Sequence, residues 1–287
     1  MLEKIAKVLI NHNLEYSEDD LLCIKSQFDK CVIDFYFVCP EHLKYSHDLS
    51  NFQEILVTWD VKQCFKIIFL EDYYFKSINN YSELLCSEDF YSKFSNLYDY
   101  IFILQPDVWI TDNAIIKNLL IEIRECSVDF VGAPLFFVHD SNSILNEFFK
   151  WNQYRLILMR IVLKLCKYRF FAKSFLINYF FLGVNGGASI RRIEPFLNFS
   201  KGLNRAKLIE YWANHTTTLN HTKLNGYFNE DVFWSLIVGA KLKKIKVAKN
   251  SFCAKYFWEL GDKEILLSFV APRKLPLAMH KFYKSYL

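Results

Sequence analysis

Glycine and proline are scarce in this 287-residue chain, eight and six residues respectively, which excludes collagen-like, solenoid and disordered chains. Long apolar runs are missing too. No uncharged stretch approaches the roughly 18 residues that a membrane-spanning helix needs. The opening segment, MLEKIAKVLINHN, carries too short an apolar run for a secretory signal, and acids follow it at once. No two cysteines stand in C-x-x-C spacing, and no Cys/His cluster has the spacing of a zinc site. A large excess of one charge is also absent: the net charge is only +4, too little to argue for a nucleic-acid partner. The eight cysteines are therefore expected to be buried free thiols in a reducing compartment. The expected location is the cytoplasm, or the inner face of the cytoplasmic membrane.

Apolar and aromatic residues are what the chain has in quantity. Hydrophobic residues make up 52%, enough for a sizeable core, and charged residues 23%, close to the globular norm. Phe (28) and Tyr (17) lift the aromatic share to 18%, a bias that an AT-rich coding sequence accounts for without any functional role. With no internal repeat and no domain-scale linker, residues 1–287 read as a single domain. Residues 5–10, 31–39, 54–58, 64–70, 98–104 and 129–133 carry strand signals, and YDYIFIL at 98–104 is the clearest buried strand. Ser17 and the acids behind it start a helix that runs to about residue 28. Residues 78–86, 88–96 and 111–125 also read as helices.

This alternation implies an α/β fold: a mixed, mainly parallel sheet flanked by helices, binding ligands beyond the carboxyl ends of its strands. The second half is less regular. A tight Asn185-Gly186-Gly187 turn enters a strand over 188–191, and short helices are expected at 194–199 and 208–213. A mostly buried helix follows Asn229, and strands are expected at 244–248 and 254–257.

Four places could carry chemistry. Asp107 follows the 98–104 strand in a turn enforced by Pro106, at the ligand edge, where a carboxylate can hold a divalent cation for a bound diphosphate. It can equally be a turn residue or a capping acid. Gly186 and Gly187 allow positive φ and close approach of a substrate to the main chain, or form a plain turn. Glu230 and Asp231 open an apolar helix behind the N-cap Asn229, suited to capping and to general-base work, since a base must be held rigidly. Backbone N–H groups at that helix start are expected to keep Asp231 ionised. His280 is a packing or surface residue unless the fold carries it to Asp107.

Taken in order, eight stretches resemble a bacterial family of GT-A-type glycosyltransferases long labelled only as a domain of unknown function. They are YFKSINNY (74–81), EDFYSKF (88–94), YDYIFILQPDVW (98–109), DFVGAP (129–134), NGGASIR (185–191), NEDVFWS (229–235), AKYFWE (254–259) and LPLAMH (275–280). The resemblance spans nearly the whole chain and implies a GT-A-like, Rossmann-type fold. It implies that Asp107 is the surviving acid of an Asp-x-Asp motif, with Gln105 where the first acid would stand, so that Mn²⁺ or Mg²⁺ dependence stays open. Gly186 and Gly187 would be the glycine loop beside donor and acceptor. Asp231 would be the catalytic base of the Glu230–Asp231 pair, and His280 a metal or phosphate ligand. The residues expected to contact the donor nucleotide are Asn11, Asp107, Gly186 and Gly187; those expected to hold metal are Asp107 and His280.

The implied activity is transfer of a sugar, with inversion, from a nucleotide-sugar donor to a glycan or lipid-linked acceptor, in O-antigen or capsule-type surface polysaccharide synthesis. A non-catalytic nucleotide- or glycan-binding module of the same fold is the alternative, although it would not need Glu230, Asp231 and His280. A sugar-1-phosphate nucleotidyltransferase would need a Gly-rich loop where Asn11-His12-Asn13 stands. The most individual segment is a basic helical insertion over about 140–182. Between residues 148 and 182 it carries Lys150, Arg155, Arg160, Lys164, Lys167, Arg169 and Lys173 and no acid. It is expected to form an extra helical layer or to lie on an anionic membrane surface.

Overall fold

The computed structural model describes residues 4–28, 33–59, 65–134, 183–215, 229–259 and 276–280. In chain order the first half runs β1 (Ile5–Ile10), α1 (Glu18–Phe28), β2 (Asp34–Pro40), α2 (His47–Thr58), β3 (Phe65–Leu70), α3 (Ile78–Leu84), α4 (Glu88–Ser95) and β4 (Tyr100–Leu104). Then come β5 (Trp109–Ile110), α5 (Ile115–Glu125), β6 (Phe130–Pro134), β7 (Val184–Arg192), α6 (Ile193–Ser200) and α7 (Arg205–His215). The last elements are α8 (Glu230–Val232), which runs on as a π-helix over Phe233–Lys241, α9 (Asn250–Tyr256), β8 (Phe257–Glu259) and β9 (Ala278–His280).

Six strands form the main sheet in the order β3-β2-β1-β4-β7-β6. The pairs β3/β2, β2/β1 and β1/β4 are parallel, whereas β7 runs antiparallel to both β4 and β6. The central strands β1 and β4 are buried at every residue, as strands covered on both faces should be. Even Lys7, inside β1, is fully buried; its ammonium donates to the Gln27 carbonyl and to Asn113 Oδ1. Helix starts follow their sequence signals. Ser17 Oγ accepts from the Asp20 N–H at 3.1 Å while Asp20 Oδ2 accepts from the Ser17 N–H at 3.1 Å, a reciprocal cap. Ser46, Ser77 and Ser87 each accept from a backbone N–H at 3.2 Å at the starts of α2, α3 and α4.

The α/β architecture is the expected one, but four local expectations are corrected. Residues 54–58 are the last turns of α2, because Leu49, Phe52 and Leu56 repeat at helical spacing and bury one face. Asn185, Gly186 and Gly187 are no turn; they lie inside β7, where the pairing with β6 shifts register between Gly132 and Ala133. Over 244–248 only one bridge forms, Phe130 to Val247. Residues 254–256 close α9, and the strand begins at Phe257.

Among the described residues Cys23, Cys39, Cys86 and Cys253 are buried free thiols and Cys126 is exposed. Burial pushes the Cys23, Cys39 and Cys253 thiols up to about 12, which leaves them unreactive. No helix among the described residues is long and apolar enough to cross a membrane. The insertion expected at about 140–182 lies outside the described residues.

Candidate active site

The carboxyl end of β4 delivers Gln105-Pro106-Asp107 to the ligand edge of the sheet. The Val108 N–H closes this turn on the Gln105 carbonyl at 3.2 Å. Gln27, fully buried on α1, clamps it from behind: its Nε2 donates to the carbonyls of Gln105 at 3.0 Å and Val108 at 2.8 Å. The short sheet β5-β9-β8 then brings the end of the described chain back to the turn. β9 pairs antiparallel with β5 and parallel with β8. Thr111 holds the same crossing, its N–H donating to the Leu277 carbonyl at 2.9 Å.

His280 is thereby carried to Asp107. Its Nε2 lies 3.4 Å from Asp107 Oδ1 and 2.7 Å from Gln105 Oε1, although Gln105 stands 175 positions earlier in the chain. His280 is buried, while the Asp107 side chain keeps 29% of its surface open. Beside them, the Gln105 N–H donates to the Gly187 carbonyl at 2.9 Å. A Cβ on Gly187 would stand 2.6 Å from the His280 ring and 2.7 Å from Gln105 Oε1. Positive φ is not the reason for glycine here, since neither Gly186 nor Gly187 has it. Close approach is.

Gly186 faces a second cluster. A Cβ there would lie 2.1 Å from Asp231 Oδ1, 2.6 Å from Glu230 Oε1 and 2.8 Å from Arg191 Nη2. Asn229 caps α8 as its sequence suggests, Oδ1 accepting from the Asp231 N–H at 2.9 Å and the Val232 N–H at 3.4 Å. Glu230 Oε2 accepts from Ser82 Oγ at 3.2 Å, and Oε1 sits 3.5 Å from Arg191 Nη2. Trp234, fully buried, anchors the helix by donating from Nε1 to the Leu85 carbonyl at 3.0 Å.

The Asp231 side chain is not held ionised by helix-start amides. Its burial, the Glu230 charge and a hydrogen bond to Glu230 push its carboxyl well above the usual carboxylate range, against the opposing pull of Arg191 and the Gly186 amide. The expectation of an ionised Asp231 is corrected: its own N–H goes to Asn229, and its carboxyl packs beside a second one.

A cavity of about 690 Å³ opens along the same edge, a size typical of small-molecule sites. Asn11, Tyr16, Lys76, Tyr81, Gln105 and Asp107 are among its walls. Asn11 is buried at the end of β1; its Oδ1 accepts from the Tyr16 hydroxyl, and its amide group faces the Cys39 thiol. Asn11 and Asp107 thus line the cavity, His280 and Gly187 meet Asp107 through Gln105, and Gly186 joins this corner to the Glu230–Asp231 cluster.

A family model described as "Protein of unknown function (DUF5672)" matches residues 64–280. The chain belongs to that family. No curated protein matches it. Among solved structures, this DUF5672 member shares its fold with mouse xyloside xylosyltransferase 1 in the apo form. The identity is 12%, with 97% of this chain and 96% of that one covered and a TM-score of 0.53. The galactosyltransferase LgtC, in complex with donor and acceptor sugar analogs, gives 11% identity over 98% and 87% of the chains and a TM-score of 0.46. Core-mannan synthase A from Aspergillus fumigatus, in its Mn/GDP form, gives 11% over 82% and 69% and a TM-score of 0.43. Likenesses as weak as these last two carry no argument. The fold of this DUF5672 chain is the GT-A glycosyltransferase fold.

Sequence reasoning missed Gln27, Tyr16, Ser82 and Arg191. Arg191 lies within NGGASIR, and a charged residue directly after the apolar Ile190 in a strand was the available signal. Gln27 and Ser82 sit on helices with nothing in their spacing to set them apart.

Proposed function

We propose that this DUF5672 protein is a nucleotide-sugar-dependent glycosyltransferase of the hexosyltransferase type, acting with inversion. The observation that carries the reading is the convergence on one strand edge of a ligand-sized cavity, the Asp107–His280 corner and the Glu230–Asp231 pair. A binding module would have no use for a buried carboxyl pair packed on Gly186, one residue along β7 from the glycine that meets His280. The donor nucleotide lies along Asn11 and Tyr16, its diphosphate at Asp107, and the sugar toward Gly186 and Gly187. The pair takes the acceptor hydroxyl's proton as the new bond forms.

A divalent cation fits this corner. Among the described residues no three acidic, His or Cys side chains meet, yet Asp107 and His280 converge with the Gln105 oxygen beside them. Mg²⁺ or Mn²⁺ needs few protein ligands when substrate phosphates complete its shell. Asp107 and His280 would hold the ion, whose charge would offset the negative charge of a departing diphosphate.

The acceptor is a glycan or a lipid-linked sugar of a surface polysaccharide, of O-antigen or capsule type. The acid-free basic stretch over 148–182 supports work at an anionic membrane surface on the cytoplasmic side. A thermal-shift screen of UDP- and GDP-sugars with Mn²⁺ or Mg²⁺, followed by hydrolysis and transfer assays, tests the reading. A bound ligand raises stability with ln(1 + [L]/Kd). Failure of every nucleotide sugar to stabilise or turn over would sink it.

A further inference from the structure

We infer that Arg191 is a positioning residue that keeps the buried Glu230–Asp231 pair at one shared proton and one negative charge, the form able to accept a proton. This deepens the glycosyltransferase reading and rests on it for the catalytic step alone.

Arg191 is fully buried in β7, between the rings of Phe130 and Phe196 at 5.1 and 5.6 Å. Its Nη1 donates to the Tyr91 hydroxyl at 2.9 Å, and Nε approaches Ser189 Oγ at 3.4 Å. These contacts fix the guanidinium plane and leave Nη2 aimed at Glu230 Oε1, 3.5 Å away, without a hydrogen bond of its own. Five donors in a rigid fork suit this task better than a mobile ammonium. Burial works against the Arg191 charge, but Tyr91, Glu230 and Asp231 hold it on.

Two carboxyls pressed together out of water cannot both ionise unless positive charge is near. Among the described residues, the groups that interact with the pair are Arg191 from β7, Ser82 and Tyr81 from α3, Cys86 just after it, and Tyr91 from α4. Only Arg191 among these is positive. Burial raises the Tyr81, Tyr91 and Cys86 groups, so they stay neutral and cannot share the pair's charge. The Arg191 guanidinium and the Ser82 hydroxyl both address Glu230, while burial and the neighbouring Glu230 raise the Asp231 carboxyl, so the proton the pair shares lies toward Asp231.

The transfer step follows from that division. Asp231 Oδ1, beside Gly186, accepts the acceptor hydroxyl's proton while the proton already on Asp231 passes to Glu230. The acceptor oxygen bonds to the sugar's anomeric carbon, and the bond from that carbon to the diphosphate breaks, its electron pair leaving with the diphosphate. The pair ends neutral and returns one proton to solvent.

The test uses the full chain and reads protonated carboxyl groups by infrared difference spectroscopy across pH, alongside kcat/KM for whichever UDP- or GDP-sugar is turned over. Wild type should show one buried protonated carboxyl at neutral pH, absent in Asp231→Asn. In Arg191→Gln a second carboxyl should be protonated there, and the acid limb of kcat/KM should rise by about one to three pH units, as expected for loss of an adjacent opposite charge. Arg191→Lys should restore both toward wild type. If Arg191→Gln does not fold, Arg191→Lys and wild type carry the test. No protonated carboxyl in wild type, or a second one in Arg191→Lys equal to that predicted for Gln, overturns the inference. An infrared result as expected without any sugar turnover leaves the inference standing and removes the glycosyltransferase reading instead.

Discussion

Adding one methyl group at Gly186 is the sharpest perturbation this geometry offers. A Cβ at that position would stand 2.1 Å from Asp231 Oδ1 and 2.6 Å from Glu230 Oε1, distances that no real carbon–oxygen contact sustains. The two carboxyl side chains must turn aside, or else β7 and the start of α8 must give way. Both are held, β7 by strands on each side and α8 by the Asn229 cap and the Trp234 anchor. Overpacking of this kind costs about 1–3 kcal/mol. At about 2–4 °C per kcal/mol for a domain of this order of size, Gly186→Ala should lose several degrees of Tm. The carboxylate must retreat by about 1 Å, and a misplacement of that size can lower the rate about 10²-fold. Gly202→Ala supplies the control. Its φ of +67° makes alanine strained, yet the nearest atom to its Cβ is Lys207 Nζ at 3.8 Å, far from the pair. That variant should lose stability and keep kcat. Differential scanning fluorimetry and a nucleotide-sugar turnover assay on both variants decide the matter. Wild-type turnover in Gly186→Ala would refute the placement of Gly186 against the carboxyl pair.

Four further outcomes are expected. Asp107→Ala should abolish stabilisation by nucleotide sugars while circular dichroism stays that of a folded chain; unchanged donor affinity would remove Asp107 from the site. Asp231→Asn keeps the shape and should retain donor binding while turnover falls by about 10²–10⁴-fold; a near-normal rate, or a product retaining the donor's anomeric configuration, would show the base assignment wrong. Because the Asp231 carboxyl is held above its ordinary range, the folded chain binds that proton more tightly than the unfolded one. Its stabilisation is therefore full below about pH 4 and drains away as pH climbs toward the raised value, so Asp231→Asn should flatten the fall of Tm with rising pH; equal slopes would count against it. Neutralising Arg160, Lys164 and Lys167 together should weaken binding to phosphatidylserine vesicles by about 1 kcal/mol per charge, and equal binding by both proteins would exclude a membrane role for that segment.

The sheet was readable because its central strands announce themselves. IAKVLI and YIFIL are unbroken apolar runs, and runs of that kind belong to strands covered on both faces. Residues 54–58 misled because EILVT is β-branched at its end, whereas the cap that makes it helical, Ser46, stands well upstream. The importance of Gly186 and Gly187 was readable, but the reason for it was not. Glycine suggests a turn, and only the packed structure reveals side chains pressing on a strand from Asp231 and His280. The ionisation of Asp231 failed for a related cause: sequence exposes the helix start, but not the second carboxyl and the buried guanidinium folded against it. Arg191 and Gln27 act through contacts that bridge distant parts of the chain, and no spacing encodes them.

The position of β9 has a bearing on how the molecule comes into being. Emerging from the ribosome, the chain has all six strands of its main sheet by residue 192 and the Glu230–Asp231 pair soon after. His280 arrives last, on a three-residue strand whose partner, Trp109–Ile110, has waited since the first half. Closing so long a loop is an entropic cost met late, so the edge by Asp107 stays unfinished until β9 has been made. A polypeptide cut short before residue 276 would retain the walls of the cavity yet lack the imidazole beside Asp107. In effect the order of synthesis decides when the corner that would meet a diphosphate can form.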